Sequence, residues 1–169
     1  LSTLRSVLLQ RGASYEIILA DDGSPNFPEE AVRSLMAEYG FSDYSFCFHE
    51  KNGGTVKNLS DAVHMAKGTY VKPISPGDYL YSETTLSDVC AFIRCHGGKA
   101  LFGDMIFYAW EDEALKTFSA RHPIFDELYL PDQRKYSHRK VLKHQTVYSD
   151  FLCGASVFVE RELFCKGLD

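Results

Sequence analysis

The stretch Glu16-Ile17-Ile18-Leu19-Ala20-Asp21-Asp22-Gly23-Ser24 constrains this chain most strongly. Ile17 to Ala20 form an unbroken apolar or small run with no polar face to alternate with, as expected of a short strand covered by helices on both sides. The run is too short to favour a helix. It opens into two carboxylates, a glycine and a serine, which a parallel strand would present at its carboxyl end, the edge where open α/β sheets bind ligands.

Leu1 to Gln10 reads as a helix with Leu4, Val7, Leu8 and Leu9 near one face. After the opening strand, Ser24-Pro25-Asn26 is a turn, and Pro28-Glu29-Glu30 suits the first turn of a helix that carries Ala31, Val32, Leu35 and Met36 as far as Gly40. Tyr44 to Phe48 predicts a second, aromatic-rich strand, followed by the polar loop His49-Glu50-Lys51-Asn52-Gly53-Gly54 at the same edge as Asp22. From Thr55 a helix aligns Val56, Leu59, Val63 and Ala66 and stops at Gly68. Tyr70 to Ile74 is a third strand. Ser82 to Cys95 predicts a helix capped by Ser82, and Ala100 to Ala109 a longer strand interrupted at Gly103-Asp104. Trp110 to Tyr148 is poorly patterned and expected to be an irregular insertion. A last strand, Ser156 to Val159, leads into a helix from Arg161 to Lys166. Strands alternating with helices across short loops imply right-handed crossovers and an α/β fold with a mainly parallel sheet flanked by helices.

The chain has 169 residues, one domain's worth, and is long enough to bury a sizeable core. With 18 basic against 23 acidic residues the net charge is -5, and no long single-sign block occurs. A nucleic-acid partner is therefore not expected. Cys47, Cys90, Cys95, Cys153 and Cys165 are odd in number and lack metal-type spacing, which favours reduced thiols over a disulfide framework or a zinc site. No charged-then-apolar stretch reads as a leader, and no apolar run is long enough to span a bilayer. The expected location is the cytoplasm, at most against the inner face of a membrane.

Tyr15 to Ser24, preceded by Leu4, Ser6-Val7-Leu8 and Gln10, resembles the amino-terminal half of family 2 glycosyltransferases, nucleotide-sugar-dependent enzymes of the GT-A fold. The resemblance continues through Asn52-Gly53-Gly54, Ala66 to Val71 and Asp78-Tyr79-Leu80, and returns at Arg161-Glu162-Leu163-Phe164. It covers most of the chain, and the order of the blocks is more specific than any single block. It implies one GT-A-like domain over residues 1–169, with the family's first strand expected before Leu1 and its catalytic base beyond Asp169. The implied partners are a nucleotide-sugar donor, a UDP-sugar by expectation, and a saccharide or lipid-linked hydroxyl acceptor, as in polysaccharide biosynthesis. Membrane contact is expected only through the acceptor or parts outside this sequence.

The resemblance also implies roles for residues. A carboxylate at a strand end can accept a hydrogen bond from a uracil ring nitrogen, and the family's second acid, here Asp22, does so. Asp21, Ser24, Asn52, Gly53 and Lys57 complete the expected nucleotide site. The purely structural alternative is that Asp21 or Asp22 caps the turn through Ser24, and that Lys51-Asn52-Gly53-Gly54 is a tight strand-to-helix turn with solvated lysines. Neither a Walker P-loop nor a GxGxxG fingerprint is present. Where the family often carries an Arg-Asn pair this chain has Leu59 and Ser60, so Lys57 stands alone as a phosphate candidate.

The family's Asp-x-Asp acids, which hold Mg²⁺ or Mn²⁺ with the diphosphate, fall on Ser75 and Gly77, leaving Asp78. A magnesium ion can be held by one carboxylate with phosphates and waters. Equally, Pro76-Gly77 can form a type II turn with Asp78 solvated. Asp104 faces the sugar or acceptor in one reading and sits at a bulge in the other. His122, His138 and His144 lack ligand spacing, and Tyr108 and Trp110 are packing or stacking aromatics. Two competing readings remain: a GT-A-like binding or assembly module that has lost catalysis with its Asp-x-Asp acids, and a nucleotidyltransferase on a related sheet, disfavoured by the lack of a glycine- and arginine-containing signature near the start.

Overall fold

A computed structural model describes residues 1–103, 106–111, 114–119, 129–130, 135–136 and 156–168. The chain divides into two compact units, Leu1–Leu101 with Phe158–Asp169, and Phe102–Val157.

In the first unit, helix α1 (Ser2–Leu8) buries Leu4 and Leu8, one turn apart on one face. They join Ile17 of strand β1 (Ile17–Asp21) and Val32, Leu35 and Met36 of helix α2 (Glu29–Glu38) in one core cluster. The i, i+3, i+4 spacing of the α2 residues points all three inward, and Met36 is fully buried. Pro28 precedes α2 as its cap residue, and Glu29 and Glu30 occupy the first turn, as their chemistry predicts.

Strand β2 (Tyr44–Phe48) runs parallel to β1 with Ile17 opposite Tyr44 and Asp21 opposite Phe48. The β1–α2–β2 crossover is the expected α/β unit. One expectation is corrected: β1 is not fully covered on both faces, since Ile18 is half-buried and Ala20 exposed. Helix α3 (Thr55–Met65) packs on β1 and buries Ala62 and Val63, covering the second face only in part. Val56, expected on the buried stripe of α3, is 66% exposed, because it lies in the first turn while the contact is made further along.

Strand β3 (Tyr70–Val71) is shorter than the expected Tyr70 to Ile74. Pro73 has no N–H to donate to a ladder. Helix α4 (Thr85–His96) begins three residues later than expected, with Thr84 rather than Ser82 as its cap residue. A first-turn amide of α4 is satisfied from elsewhere: buried Gln10 accepts the Leu86 N–H at 3.0 Å and donates to the carbonyls of Ser6 and Ser82 at 3.2 and 2.6 Å. Gln10 thereby ties the end of α1 to the start of α4.

Strands β4 (Ala100–Phe102) and β9 (Val157–Glu160) complete a second sheet in the order β3-β9-β4, in which β9 runs antiparallel to β3 with Tyr70 opposite Glu160. Helix α5 (Arg161–Leu168) follows β9 directly and packs against α3.

The described part of the second unit corrects the expectation of an irregular insertion over Trp110 to Tyr148 at residues 110–111, 114–119, 129–130 and 135–136, while the rest of that span lies outside the described residues. Its described residues include β5 (Ile106–Glu111) paired antiparallel with β6 (Ala114–Ser119), and β7 (Tyr129–Leu130) paired antiparallel with β8 (Lys135–Tyr136). Aromatic and β-branched residues such as Ile106, Phe107, Thr117 and Phe118 favour pleated pairing even without strict polar alternation. The strand expected over Ala100 to Ala109 with an interruption at Gly103-Asp104 corresponds to β4 and β5, which lie on either side of that interruption, with Tyr108 and Trp110 in β5. Asp104, His122, His138, His144 and Cys153 lie outside the described residues. Cys47, Cys90, Cys95 and Cys165 are free thiols, as expected. Among the described residues no helix is long and apolar enough to cross a membrane.

Candidate functional site

The parallel ladder leaves the ends of β1 and β2 side by side, and it extends one step further, the His49 N–H donating to the Asp21 carbonyl at 3.0 Å. Residues 21–24 and 49–54 therefore emerge together at the carboxyl edge. Gly23 allows them to touch. Its φ is +80°, and a Cβ there would stand 3.0 Å from the Asn52 nitrogen and the Lys51 carbonyl carbon, so both conformation and space require glycine.

The two acids divide their work. Asp21 serves its own turn, its Oδ2 accepting the Ser24 N–H at 2.8 Å. That is the structural role foreseen for one of the pair. Asp22 reaches across to the second loop, where Oδ1 accepts the Gly53 N–H and Oδ2 the Gly54 N–H, each at 2.8 Å. Asn52 shares the Gly54 amide through its Oδ1 at 3.1 Å. The Asp22 carboxyl is held below the usual carboxylate range, first by the Gly53 amide and then by hydrogen bonding to His49. Its Oδ2 accepts a single backbone bond and keeps acceptor capacity for a further donor.

His49 lies between two acids. Its Nδ1 is 3.1 Å from Asp22 Oδ1 and its Nε2 2.9 Å from Asp61 Oδ2, and only 15% of its side chain is exposed. Asp61 also receives the ammonium of Lys57, one turn earlier on α3. This bond raises the Lys57 pKa and lowers that of Asp61. The Lys57 stem lies over Gly53, where a Cβ would come within 2.9 Å of Cδ. Cys47 is buried one residue before the strand end, and burial pushes its thiol pKa up, so it stays neutral beside this array.

Of the residues expected at a nucleotide site, Asp22, Asn52, Gly53 and Lys57 come together, with Asp21 and Ser24 on the adjoining turn. His49 and Asp61 belong to the same network and were not singled out from sequence. The one available signal was the i, i+4 spacing of Lys57 and Asp61, which places an acid on the same helix face.

Asp78 is held by other contacts. Its N–H donates to the Ser75 carbonyl at 3.0 Å and Gly77 has φ +98°, the features of the type II turn that was one of the two readings. This turn is docked on α1: Gly77 N–H donates to Thr3 Oγ1 at 2.9 Å and Leu80 N–H to Ser6 Oγ at 3.3 Å. Among the described residues no three His, Cys, Asp or Glu side chains converge as a metal site. Asp78 remains half-buried on a braced loop, so the donor set fits Mg²⁺ or Mn²⁺ only where a diphosphate supplies the other ligands. A cavity of ≈ 180 Å³ between α1 and residues 80–83, bounded by Leu9, Gln10, Leu80 and Tyr81, includes none of the Asp22 network.

A search of curated proteins gives no match. A comparison with protein families matches residues 1–162 to Glycosyl transferase family 2, a span that includes the strand ends, the glycine loop and Asp78. The alternation of helices with the parallel β1–β2 pair is accordingly part of a GT-A fold, and the chain belongs to glycosyl transferase family 2.

Proposed function

We propose that this chain is the donor-binding part of a glycosyltransferase that takes a sugar from a nucleotide diphosphate sugar, a UDP-sugar by preference, and passes it with inversion to a hydroxyl of a saccharide or lipid-linked acceptor. The observation that carries this reading is Asp22: an ionised carboxylate at the end of a parallel strand, fixed by two backbone amides and retaining an acceptor position. A uracil ring offers an N–H to such an acceptor. Asn52 and Gly53 lie on the loop that holds this carboxylate, and Lys57, charged but already shared with Asp61, offers a cation to a phosphate at the start of α3.

In the reaction, an acceptor oxygen bonds to the anomeric carbon as the bond to the diphosphate breaks on the opposite face, and the hydroxyl proton passes to a carboxylate base. No described residue is assigned that role. The negative charge developing on the leaving diphosphate needs donors aimed at it. Lys57 is the candidate from the Asp22 network, and a Mg²⁺ or Mn²⁺ ion held by Asp78 would supply Lewis-acid stabilisation when bound. Asp104 is the candidate on the sugar or acceptor side.

Calorimetric titration with UDP, with and without Mn²⁺, tests this reading. Asp22→Ala is expected to weaken UDP by about tenfold or more, since it deletes a charged acceptor. Asp78→Ala is expected to abolish any enhancement by Mn²⁺ while leaving metal-free binding in place. Equal UDP affinity in the parent and Asp22→Ala would refute the donor-site assignment. One observation favours the second reading, a non-catalytic GT-A-like module: Ser75 to Asp78 forms a hydrogen-bonded turn where the family's acids would stand. Mn²⁺-dependent hydrolysis of a UDP-sugar would exclude that alternative.

A further inference from the structure

His49 has no role in the donor site as derived so far, yet it is the most enclosed polar side chain of that network, and both of its ring nitrogens face carboxylate oxygens. A neutral imidazole has one N–H and one bare nitrogen, so it can donate to only one of the two acids and sets a lone pair against the other. The imidazolium donates to both. The backbone that carries the ring is fixed by the bond from His49 N–H to the Asp21 carbonyl, which extends the β1–β2 ladder by one step.

The charges facing the ring come from each element packed against it. Asp22 approaches from the loop after β1, Asp61 and Lys57 from α3, and Cys47 of β2 is neutral. Glu50 and Lys51, next in its own loop, are exposed. With the ring charged, His49, Lys57, Asp22 and Asp61 sum to zero. With the ring neutral the same four groups carry one net negative charge, and Asp22 or Asp61 loses a donor.

We infer that His49 is a positioning residue of the donor site: as an imidazolium bridging Asp22 and Asp61 it fixes the Asp22 carboxylate toward the base and leaves the array neutral, so that a nucleotide diphosphate is not repelled. This rests on the donor reading given above. Its consequence is a donor affinity that declines as the ring loses its proton, because the deprotonated array presents a net negative charge to an anionic ligand.

The probe is UDP-glucose, whose diphosphate diester keeps a constant charge where UDP itself would titrate. Over about pH 5.5 to 8.5, its affinity for the parent chain is expected to fall by about three- to tenfold, whereas His49→Gln, which retains an amide donor but cannot charge, gives a flat profile near the parent's high-pH value. Binding with the same pH profile in parent and variant would overturn the inference. If UDP-glucose binds neither protein, the donor reading fails on its own account, and the bridge is read without ligand from the ¹⁵N shifts of the ring. There Asp61→Asn is expected to change the shift of Nε2, which loses its carboxylate partner, and an unchanged shift in a folded variant overturns the bridge.

Discussion

Asp22 stands in a ring of donors supplied by Gly53, Gly54 and His49, and this has a thermodynamic sign. Its folded pKa is lowered relative to the ordinary 3.8, so the carboxylate form is favoured by folding. The stabilisation is fully present above that ordinary value and is lost as pH falls through the lower, folded one. Asp22→Asn is therefore expected to flatten the acid limb of stability, with urea midpoints of parent and variant converging below about pH 4. Midpoints that keep a constant separation from pH 7 down to acid unfolding would show that Asp22 does not titrate in this way. Single residues were also where the sequence was most and least informative. Asp22 was legible because a carboxylate directly after an apolar run must emerge at the strand end. His49 was not, because its meaning depends on Asp61 from another element, and a lone histidine before a glycine loop carries no spacing signal.

At the scale of elements, α2 and β2 were legible to within a residue or two because their patterns are saturated: Val32, Leu35 and Met36 fall on one helical face, and Tyr44 to Phe48 is an aromatic run. Phe27 packs edge-on against both Phe46 and Phe48, the latter at a 4.9 Å centroid separation, and Arg33 of α2 lies over Phe46 at 4.6 Å, a contact between α2 and β2. Where the pattern was weaker, tertiary contacts decided. The start of α4 moved from Ser82 to Thr85 because Gln10 serves its first turn, and no local rule announces a cap from 76 residues away. The same contrast is measurable. Met36→Ala, at 0% exposure, is expected to cost about 2–5 kcal/mol in urea unfolding, whereas Val56→Ala on the exposed side of α3 should fall within about 0.5 kcal/mol of the parent. A large loss at Val56 would mean that this face of α3 is covered in solution.

For the molecule as a whole, the alternation of strand and helix up to Val71 was readable because each unit is local, while the pairing of β9 was not. Strand Val157–Glu160 enters between β3 and β4, strands that precede it by more than fifty residues, and no periodicity encodes that insertion. A chain ending at residue 155 is expected to lose the β3-β9-β4 sheet and to self-associate more strongly than the full chain, as read by light scattering at matched concentrations. Equal scattering would mean that β3 and β4 find another internal partner. The order has a consequence for biosynthesis. The β1–α2–β2 unit can close while the ribosome is still making the rest, but the strand that fills the centre of the second sheet is made only after the intervening second unit. Until then β3 and β4 are two open edges, so the nascent chain is most exposed to aggregation, and most in need of a chaperone, in the interval between synthesis of Phe102 and of Val157.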